Sequence, residues 1–133
     1  MYSYFAEMEA SVVVTGQVVT IIVAVFFAGM GVYALATPAR LLAPFDISLG
    51  SAASRAEVRG VYGGFGLAIA AMLVVSLTAP ELRSGILMTV AAALAGMAFG
   101  RLASAPDGRT SLYPNWFYFL VESVAAAALF LVA

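Results

Sequence analysis

The stretch Ser54-Arg55-Ala56-Glu57-Val58-Arg59-Gly60-Val61-Tyr62-Gly63-Gly64 decides how the rest of the chain is interpreted. The chain has six basic residues, seven acidic residues and twelve glycines. This stretch holds three of the charged residues and three of the glycines. A long apolar run follows it. Small residues let helix backbones approach closely in lipid, so a charged start followed by glycines suits a packed membrane helix. The stretch therefore predicts a small polytopic membrane protein and leaves its function open.

The composition places the whole chain in lipid. Of its 133 residues, 64% are hydrophobic and 10% are charged, and the mean hydropathy is +1.05. Soluble domains are about 45–50% apolar and about 25% charged. Only helices and closed barrels satisfy their backbone groups in a bilayer, and the sequence shows no alternating strand pattern. We therefore expect an all-α fold, a four-transmembrane-helix bundle that forms a single membrane domain over residues 1–133.

Four apolar runs, each near the roughly 20 residues needed to cross about 30 Å of hydrocarbon, predict the four helices. They cover residues 12–36, 55–78, 80–103 and 114–133, and residues 1–17 are expected to lead in at the membrane interface. The triplet Ala34-Leu35-Ala36 resembles a signal-peptidase site. However, no Lys or Arg precedes Arg40, so the basic region of a signal peptide is missing and we expect the first helix to be retained.

The distribution of arginines predicts the orientation in the membrane. Two long links join the first helix to the second and the third helix to the fourth, and we expect both on the same side of the membrane. Arg83 lies on the opposite side. The other five arginines lie in or beside the long links: Arg40, Arg55, Arg59, Arg101 and Arg109. Short cytoplasmic loops carry an excess of basic residues. We therefore expect the two long links in the cytoplasm and both termini on the non-cytoplasmic side.

The residue types that the chain lacks exclude several chemistries. There is no Cys and no His, and all basic residues are Arg, so disulfides, thiol nucleophiles, Ser–His pairs, Schiff bases and the usual nitrogen and sulfur metal ligands are excluded. We expect no catalytic residues, no metal and no cofactor. A net charge of −1 also argues against nucleic acid as a partner, because a phosphate-binding surface needs clustered cations.

Glu122 is the strongest candidate for a site residue. It lies about eight residues after Pro114, hence about 12 Å into the bilayer at about 1.5 Å per residue, where a charge is costly unless it is paired, hydrated or protonated. Arg101 and Arg59 lie near helix ends on the same side and are long enough to reach it. The sequence predicts a polar cluster of Glu122 with Arg101 or Arg59, capped by Tyr62. The cluster is either a ligand or proton site, or a contact that fixes the register of the helices.

Glu57 is a further member of the candidate cluster, with two interpretations. The pattern Ser54-x-x-Glu57 fits a capping box, in which the two side chains satisfy the first amides of a helix. The alternative is an ion pair between Glu57 and Arg101 or Arg109 across the cytoplasmic face.

Small residues form two helix faces. Gly60, Gly64 and Ala68 lie four residues apart on the second helix, and Gly96 and Gly100 lie four apart on the third. We expect these faces to pack helices two and three together, with homodimerisation as the alternative.

Several of these residues together resemble a known family. They are Leu41-Leu42-Ala43-Pro44, Glu57-x-Arg59-Gly60-x-Tyr62-Gly63-Gly64, Gly100-Arg101 with Ser104, Asp107-Gly108 and a Glu in the last helix. The pattern resembles a family of small bacterial four-helix integral membrane proteins catalogued as a domain of unknown function, and the likeness covers most of the chain from about Gly29 onward. The resemblance implies a multi-pass protein of the bacterial cytoplasmic (inner) membrane. It also implies that six residues belong to the family pattern: Glu57, Arg59, Tyr62, Arg101, Asp107 and Glu122. It implies no activity.

Three functions agree with the sequence. The first, which we expect, is an accessory or structural component without catalytic apparatus that packs against a larger membrane complex. Its partners would be the lipid bilayer and another membrane protein or a second copy. The second is a binding or transport bundle for a small or lipid-like molecule that uses the Glu/Arg/Tyr cluster. The third, an enzyme acting on a lipid, is disfavoured because no carboxylate pair and no nucleophile beside a base is evident. A cavity that reaches Glu122 would favour the second function.

Overall fold

The computed structural model describes all 133 residues, and every regular element in it is helical. Four helices are long and apolar enough to cross a membrane: Tyr2–Ala36, Ala52–Thr78, Pro80–Asp107 and Leu112–Val132. Each packs against its neighbours in the chain, and the first also contacts the last. Because the links are short, successive helices run antiparallel. The predicted all-α, four-helix bundle is confirmed.

Within these four spans the helical geometry changes several times. The elements are α1 (Tyr2–Ala36), α2 (Pro38–Leu42), a 3₁₀ turn (Ala43–Phe45), α3 (Ala52–Val58), a π turn (Arg59–Gly64), α4 (Phe65–Thr78), α5 (Pro80–Ala103), a 3₁₀ turn (Ala105–Asp107), a π turn (Leu112–Trp116) and α6 (Phe117–Val132). Helices α3 and α4 with the π turn between them form the second span. The irregular turns lie in the half of the bundle that holds the long links.

Helix α1 is longer than the sequence predicted. It begins at Tyr2 rather than near Val12 and contains 35 residues, which is about 52 Å at about 1.5 Å per residue and exceeds the roughly 30 Å of a bilayer core. Every residue up to Thr15 is exposed, and Gly16 is the first that is buried. The predicted lead-in is therefore helical and continuous with α1, and it is exposed up to Thr15.

The second span begins three residues earlier than predicted, and a different pair of residues caps it. The N–H of Ser54 donates to Oγ of Ser51 at 3.0 Å, and the N–H of Ser51 donates to Oγ of Ser54 at 3.1 Å. The predicted Ser54–Glu57 capping box is wrong, because Ser54 already occupies the third helical position. Glu57 is an exposed residue farther along α3.

Glycines do bring two helices close together, but not the two that were predicted. An added Cβ would meet nothing within 4 Å at three of the glycines assigned to the packing faces: Gly60, Gly96 and Gly100. The close contact lies instead between α1 and the second span. A Cβ on Gly31 would lie 2.9 Å from the carbonyl oxygen of Gly63, and one on Gly66 would lie 3.0 Å from that of Phe27. The prediction that the two glycine faces join helices two and three is therefore wrong.

The hydrophobic core lies along the bundle axis. Its most buried side chains come from three different spans and are at most 1% exposed: Leu73, Leu87, Leu94 and Leu129. Phe27 of α1 packs into the same cluster. Toward the long links the core gives way to polar groups, among which Glu122 is the buried charged residue.

Candidate functional site

The site is built around an ion pair between α5 and α6. Nε of Arg101 donates to Oε2 of Glu122 at 2.8 Å, and Nη2 of Arg101 donates to Oε1 at 2.9 Å. The Glu122 side chain is 3% exposed and that of Arg101 is 21% exposed. A bidentate guanidinium is the strongest partner that a buried carboxylate can have, which explains how Glu122 is accommodated among apolar helices. Of the two predicted partners of Glu122, Arg101 is the one that pairs with it in the structure.

Arg59 has a different role. Its Nε donates to the carbonyl oxygen of Leu35 at 3.0 Å, near the end of α1, where the last carbonyls of a helix lack intrahelical partners. Arg59 makes no ion pair with Glu122 and does not line the cavity described below. The structure therefore does not bring this member of the predicted cluster to the site.

Glu57 is also separate from the site. It is exposed, and neither Arg101 nor Arg109 forms an ion pair with it, since the Arg101–Glu122 contact is the one salt bridge of the chain. Both interpretations of Glu57, as a cap and as a pairing partner, are thus contradicted.

Tyr62, which the sequence predicted as a cap of the cluster, lines the same cavity as the ion pair. It lies in the π turn of the second span and is half-buried. A π turn widens the helix by one residue, and such turns are frequent at functional sites. The structure thus brings together three of the five predicted site residues: Tyr62, Arg101 and Glu122.

The cavity beside the ion pair has a volume of about 350 Å³ and is lined by 17 residues, 12 of them hydrophobic. Its apolar wall includes Phe26, Met30, Leu94 and Met97. Ligand cavities in proteins measure about 300–1,000 Å³ and combine an apolar lining with a few polar groups. The volume of this cavity and its mostly apolar lining fall within those ranges.

A segment between α1 and α3, residues 38–45, covers one side of the cavity; we call it the roof segment. It is anchored by the buried side chain of Leu42. The ring of Phe45 stacks on Tyr118 with centroids 5.8 Å apart. After Phe45, the left-handed backbone of Asp46, with φ of 58°, turns the chain away.

The two stacked rings also contact the ion pair. The guanidinium carbon of Arg101 lies 5.7 Å from the centroid of Phe45 and 5.5 Å from that of Tyr118. Cations are attracted to the faces of aromatic rings at such distances. Arg101 is therefore held by a carboxylate and by two rings, one of which belongs to the roof segment.

The sequence analysis missed three residues of the site: Arg40, Phe45 and Tyr118. Tyr118 had a detectable signal, because it precedes Glu122 by four residues and such residues share a helix face. Arg40 was considered only for membrane orientation; it is exposed, lines the cavity and makes no side-chain hydrogen bond or ion pair. No local pattern marks Phe45, because its contact with Tyr118 joins distant parts of the chain.

The cavity lining combines charged and polar groups with apolar side chains. Two guanidinium groups, one carboxylate and tyrosine hydroxyls face an apolar volume. The carboxylate of Glu122 is occupied by Arg101 at both oxygens. No group of three His, Cys, Asp or Glu side chains is close enough together to hold a metal ion.

Fold and site together define a small helical bundle with four helices apolar enough to cross a membrane and a cavity beside a buried ion pair. The family described as "Domain of unknown function (DUF4345)" matches residues 15–133, nearly the whole chain. The protein belongs to this family, which confirms the predicted membership in a domain of unknown function. No curated protein and no solved structure matches it.

Proposed function

We propose that the protein binds a lipid-like molecule in the cavity beside Arg101 and Glu122. The observation that carries the proposal is that a volume of about 350 Å³ reaches a buried ion pair. An ion pair that only fixes helix register needs no open volume beside it. Here one side of Arg101 opens to a cavity with an apolar wall, which is the arrangement expected for a ligand with a polar end and an apolar body.

The location we propose is the cytoplasmic membrane of a bacterium, with both termini on the non-cytoplasmic side. The arginine distribution supports this orientation. The cavity then lies in the cytoplasmic half of the bilayer, at the end of the bundle that carries the long links. A molecule dissolved in that leaflet is the natural occupant, since it needs no passage through water.

We propose binding without chemical conversion of the ligand. The cavity contains no pair of free carboxylates and no nucleophile beside a base, and its carboxylate already accepts two hydrogen bonds from Arg101. General acid–base catalysis needs a group that is free to exchange a proton with the substrate.

A pair of glycine variants tests the proposal. Gly29 lines the cavity, and an added Cβ would meet nothing within 4 Å there or at Gly85, which lies on α5 away from the cavity. Gly29→Phe adds a ring at the cavity wall, where its Cβ meets no neighbouring atom, whereas Gly85→Phe adds the same ring elsewhere. The probe is the neutral fluorophore N-phenyl-1-naphthylamine, measured in nanodiscs with protein against empty nanodiscs.

We expect saturable binding of this probe to the wild type and to Gly85→Phe. For Gly29→Phe, affinity should fall by about tenfold or more, which corresponds to about 1.4 kcal/mol. Absence of saturable binding to the wild type, or equal binding by the two variants, would refute the proposal.

The accessory role remains a second proposal, and exposed glycines favour it. Gly60 on the second span and Gly96 and Gly100 on α5 present open space to the surroundings. Small residues on an outer face let another membrane helix approach closely, so a partner protein or a second copy is the expected neighbour. Purification of tagged protein in a mild detergent tests this role, which requires a partner or a second copy at fixed stoichiometry. A monodisperse monomer would contradict it, and so would an unchanged complex in Gly100→Ile.

A further inference from the structure

We infer that the ligand of this cavity is a single-chain amphiphile with a carboxylate head, and that Arg40 of the roof segment binds the head. The inference rests on the proposed function and names the class of molecule that the site selects. Three observations carry it: the uncompensated charge in the cavity, the free hydrogen-bond donors in its lining, and its size and apolar wall.

The charges that line the cavity do not cancel. Arg40, Arg101 and Glu122 are its charged residues, so its walls carry one more positive than negative charge. The carboxylate of Glu122 neutralises Arg101 through two hydrogen bonds, which leaves Arg40 as the cation without a partner. Because Arg40 is exposed, its charge needs no partner within the protein and is accessible to an anionic ligand. A ligand with one negative charge completes the pairing, and a ligand with a positive charge opposes it.

Hydrogen-bond donors remain available beside this charge. The side chain of Arg40 makes no hydrogen bond within the protein, and in Arg101 only Nε and Nη2 donate to Glu122, so its Nη1 has no protein partner. Guanidinium groups bind carboxylates by parallel N–H donors. Two arginines with unused donors in one cavity therefore suit a planar carboxylate head.

The apolar part of the cavity suits one chain. At about 30 Å³ for a water-sized group, about 350 Å³ accommodates about a dozen heavy atoms, which is enough for a head group and the first part of one chain. Met30 and Met97 lie on the wall, and methionine adapts its shape to flexible apolar partners. A fatty-acid chain fits such a wall, with its remaining length in the bilayer.

The test uses competition in nanodiscs of neutral phosphatidylcholine at mildly alkaline pH. The probe is cis-parinaric acid, a fluorescent single-chain carboxylate, excited by energy transfer from Trp116, the one tryptophan of the chain. The competitors are oleate, oleyl alcohol and oleylamine, which share one chain and differ in head charge. Phosphatidylglycerol is added in a separate series to distinguish a carboxylate ligand from the head groups of anionic bilayer lipids.

We expect oleate to displace the probe at a concentration about tenfold lower than oleyl alcohol, and oleylamine and phosphatidylglycerol to be weaker still. Arg40→Gln should weaken binding of the carboxylate probe itself and remove the preference for oleate over oleyl alcohol. Arg109→Gln removes the same charge from an exposed residue outside the cavity and should behave as the wild type.

Each other outcome overturns the inference in a recognisable way. Equal displacement by oleate and oleyl alcohol, or equal behaviour of the two arginine variants, would refute the carboxylate head and leave the proposed binding function intact. Displacement by phosphatidylglycerol as strong as by oleate would identify bilayer head groups as the source of the anion. If the probe does not bind saturably and neither does N-phenyl-1-naphthylamine, both the inference and the proposed function fail.

Discussion

The ring of Phe45 stacks on the ring of Tyr118, with centroids 5.8 Å apart and planes inclined by 28°. This contact joins the roof segment to α6 beside the Arg101–Glu122 pair. Few other side chains hold the roof segment to the site, since half of its residues are exposed and Pro38 and Leu42 are its buried residues. We therefore expect this stacked pair to influence how fast a ligand leaves the cavity on this side.

Phe45→Ala should speed the release of a bound probe. Aromatic pairs contribute about 0.5–1.5 kcal/mol beyond their buried area, so we expect release about two- to tenfold faster. The measurement is stopped-flow dilution of nanodiscs loaded with N-phenyl-1-naphthylamine. Ile47→Ala, an exposed residue outside the cavity, is the control and should release the probe at the wild-type rate. Equal rates for the two variants would show that the roof segment does not gate the cavity.

Breaking the ion pair from the Glu122 side should destabilise the bundle. Glu122→Ala leaves the guanidinium of Arg101 unpaired, and we expect the free energy of unfolding to fall by about 3 kcal/mol, the lower end for a buried pair because Arg101 is partly exposed. Glu122→Gln keeps an acceptor and should cost about 1–2 kcal/mol. Denaturant unfolding in detergent measures both.

The double variant Arg101→Met, Glu122→Met is the control for this interpretation. It removes both charges together, so no unpaired group remains and much of the lost stability should return. If Glu122→Ala has the same free energy of unfolding as the wild type, the ion pair does not hold α5 and α6 together.

The close approach of α1 to the second span makes Gly31 intolerant of a side chain. A Cβ there would lie 2.9 Å from a backbone carbonyl oxygen, which cannot move away without shifting a helix. We expect Gly31→Ala to lower the free energy of unfolding by about 1–3 kcal/mol, as overpacking does. Gly29→Ala, two residues earlier in open space, should be neutral or slightly stabilising, because Ala favours helix over Gly by up to about 1 kcal/mol. The opposite ranking of the two variants would contradict this packing.

The bundle could be predicted from the sequence, but the faces of its helices could not. Apolar runs of the length of a bilayer are visible directly, and prolines mark several helix boundaries. Inside lipid, however, a helix is apolar on all sides, so hydrophobic periodicity does not distinguish the inner face from the outer one. For this reason the four-residue spacing of Gly60 and Gly64 predicted a contact with the third helix that the structure does not contain. Gly31, which has no small residue four positions away on α1, makes the close contact with the second span instead.

The site was predictable only where one residue had few possible partners. An intramembrane Glu122 needs a cation, and Arg101 was one of two within reach. Arg59 was an equally good candidate by position, but the unpaired carbonyl of Leu35 lies closer to it, and no sequence pattern reports such a tertiary contact. The stacking of Phe45 of the roof segment on Tyr118 could not be predicted at all, because it depends on how a link with no regular pattern folds back onto α6.

The bond between Arg59 and Leu35 gives a prediction that separates the structural arginine from those of the cavity. Arg59→Met removes the donor to the carbonyl of Leu35, and we expect a loss of about 1 kcal/mol, since the contact is exposed. Affinity for cis-parinaric acid should stay at the wild-type value. Arg55→Met, which loses no side-chain hydrogen bond, is the matched control and should change neither quantity. A large loss of probe affinity in Arg59→Met alone would show that Arg59 contributes to ligand binding.

The start of the second span offers a direct test of which residues cap it. In the structure Ser51 and Ser54 exchange their hydrogen bonds, whereas Glu57 contributes nothing to the cap. Ser51→Ala should therefore destabilise α3 by about 1 kcal/mol, the usual cost of losing an N-cap hydroxyl. Glu57→Gln should leave it unchanged. Hydrogen exchange at the amide of Ser54 measures the difference, with faster exchange expected in the serine variant only. If Glu57→Gln instead raises the exchange rate and Ser51→Ala does not, helix α3 begins where the sequence pattern first placed it.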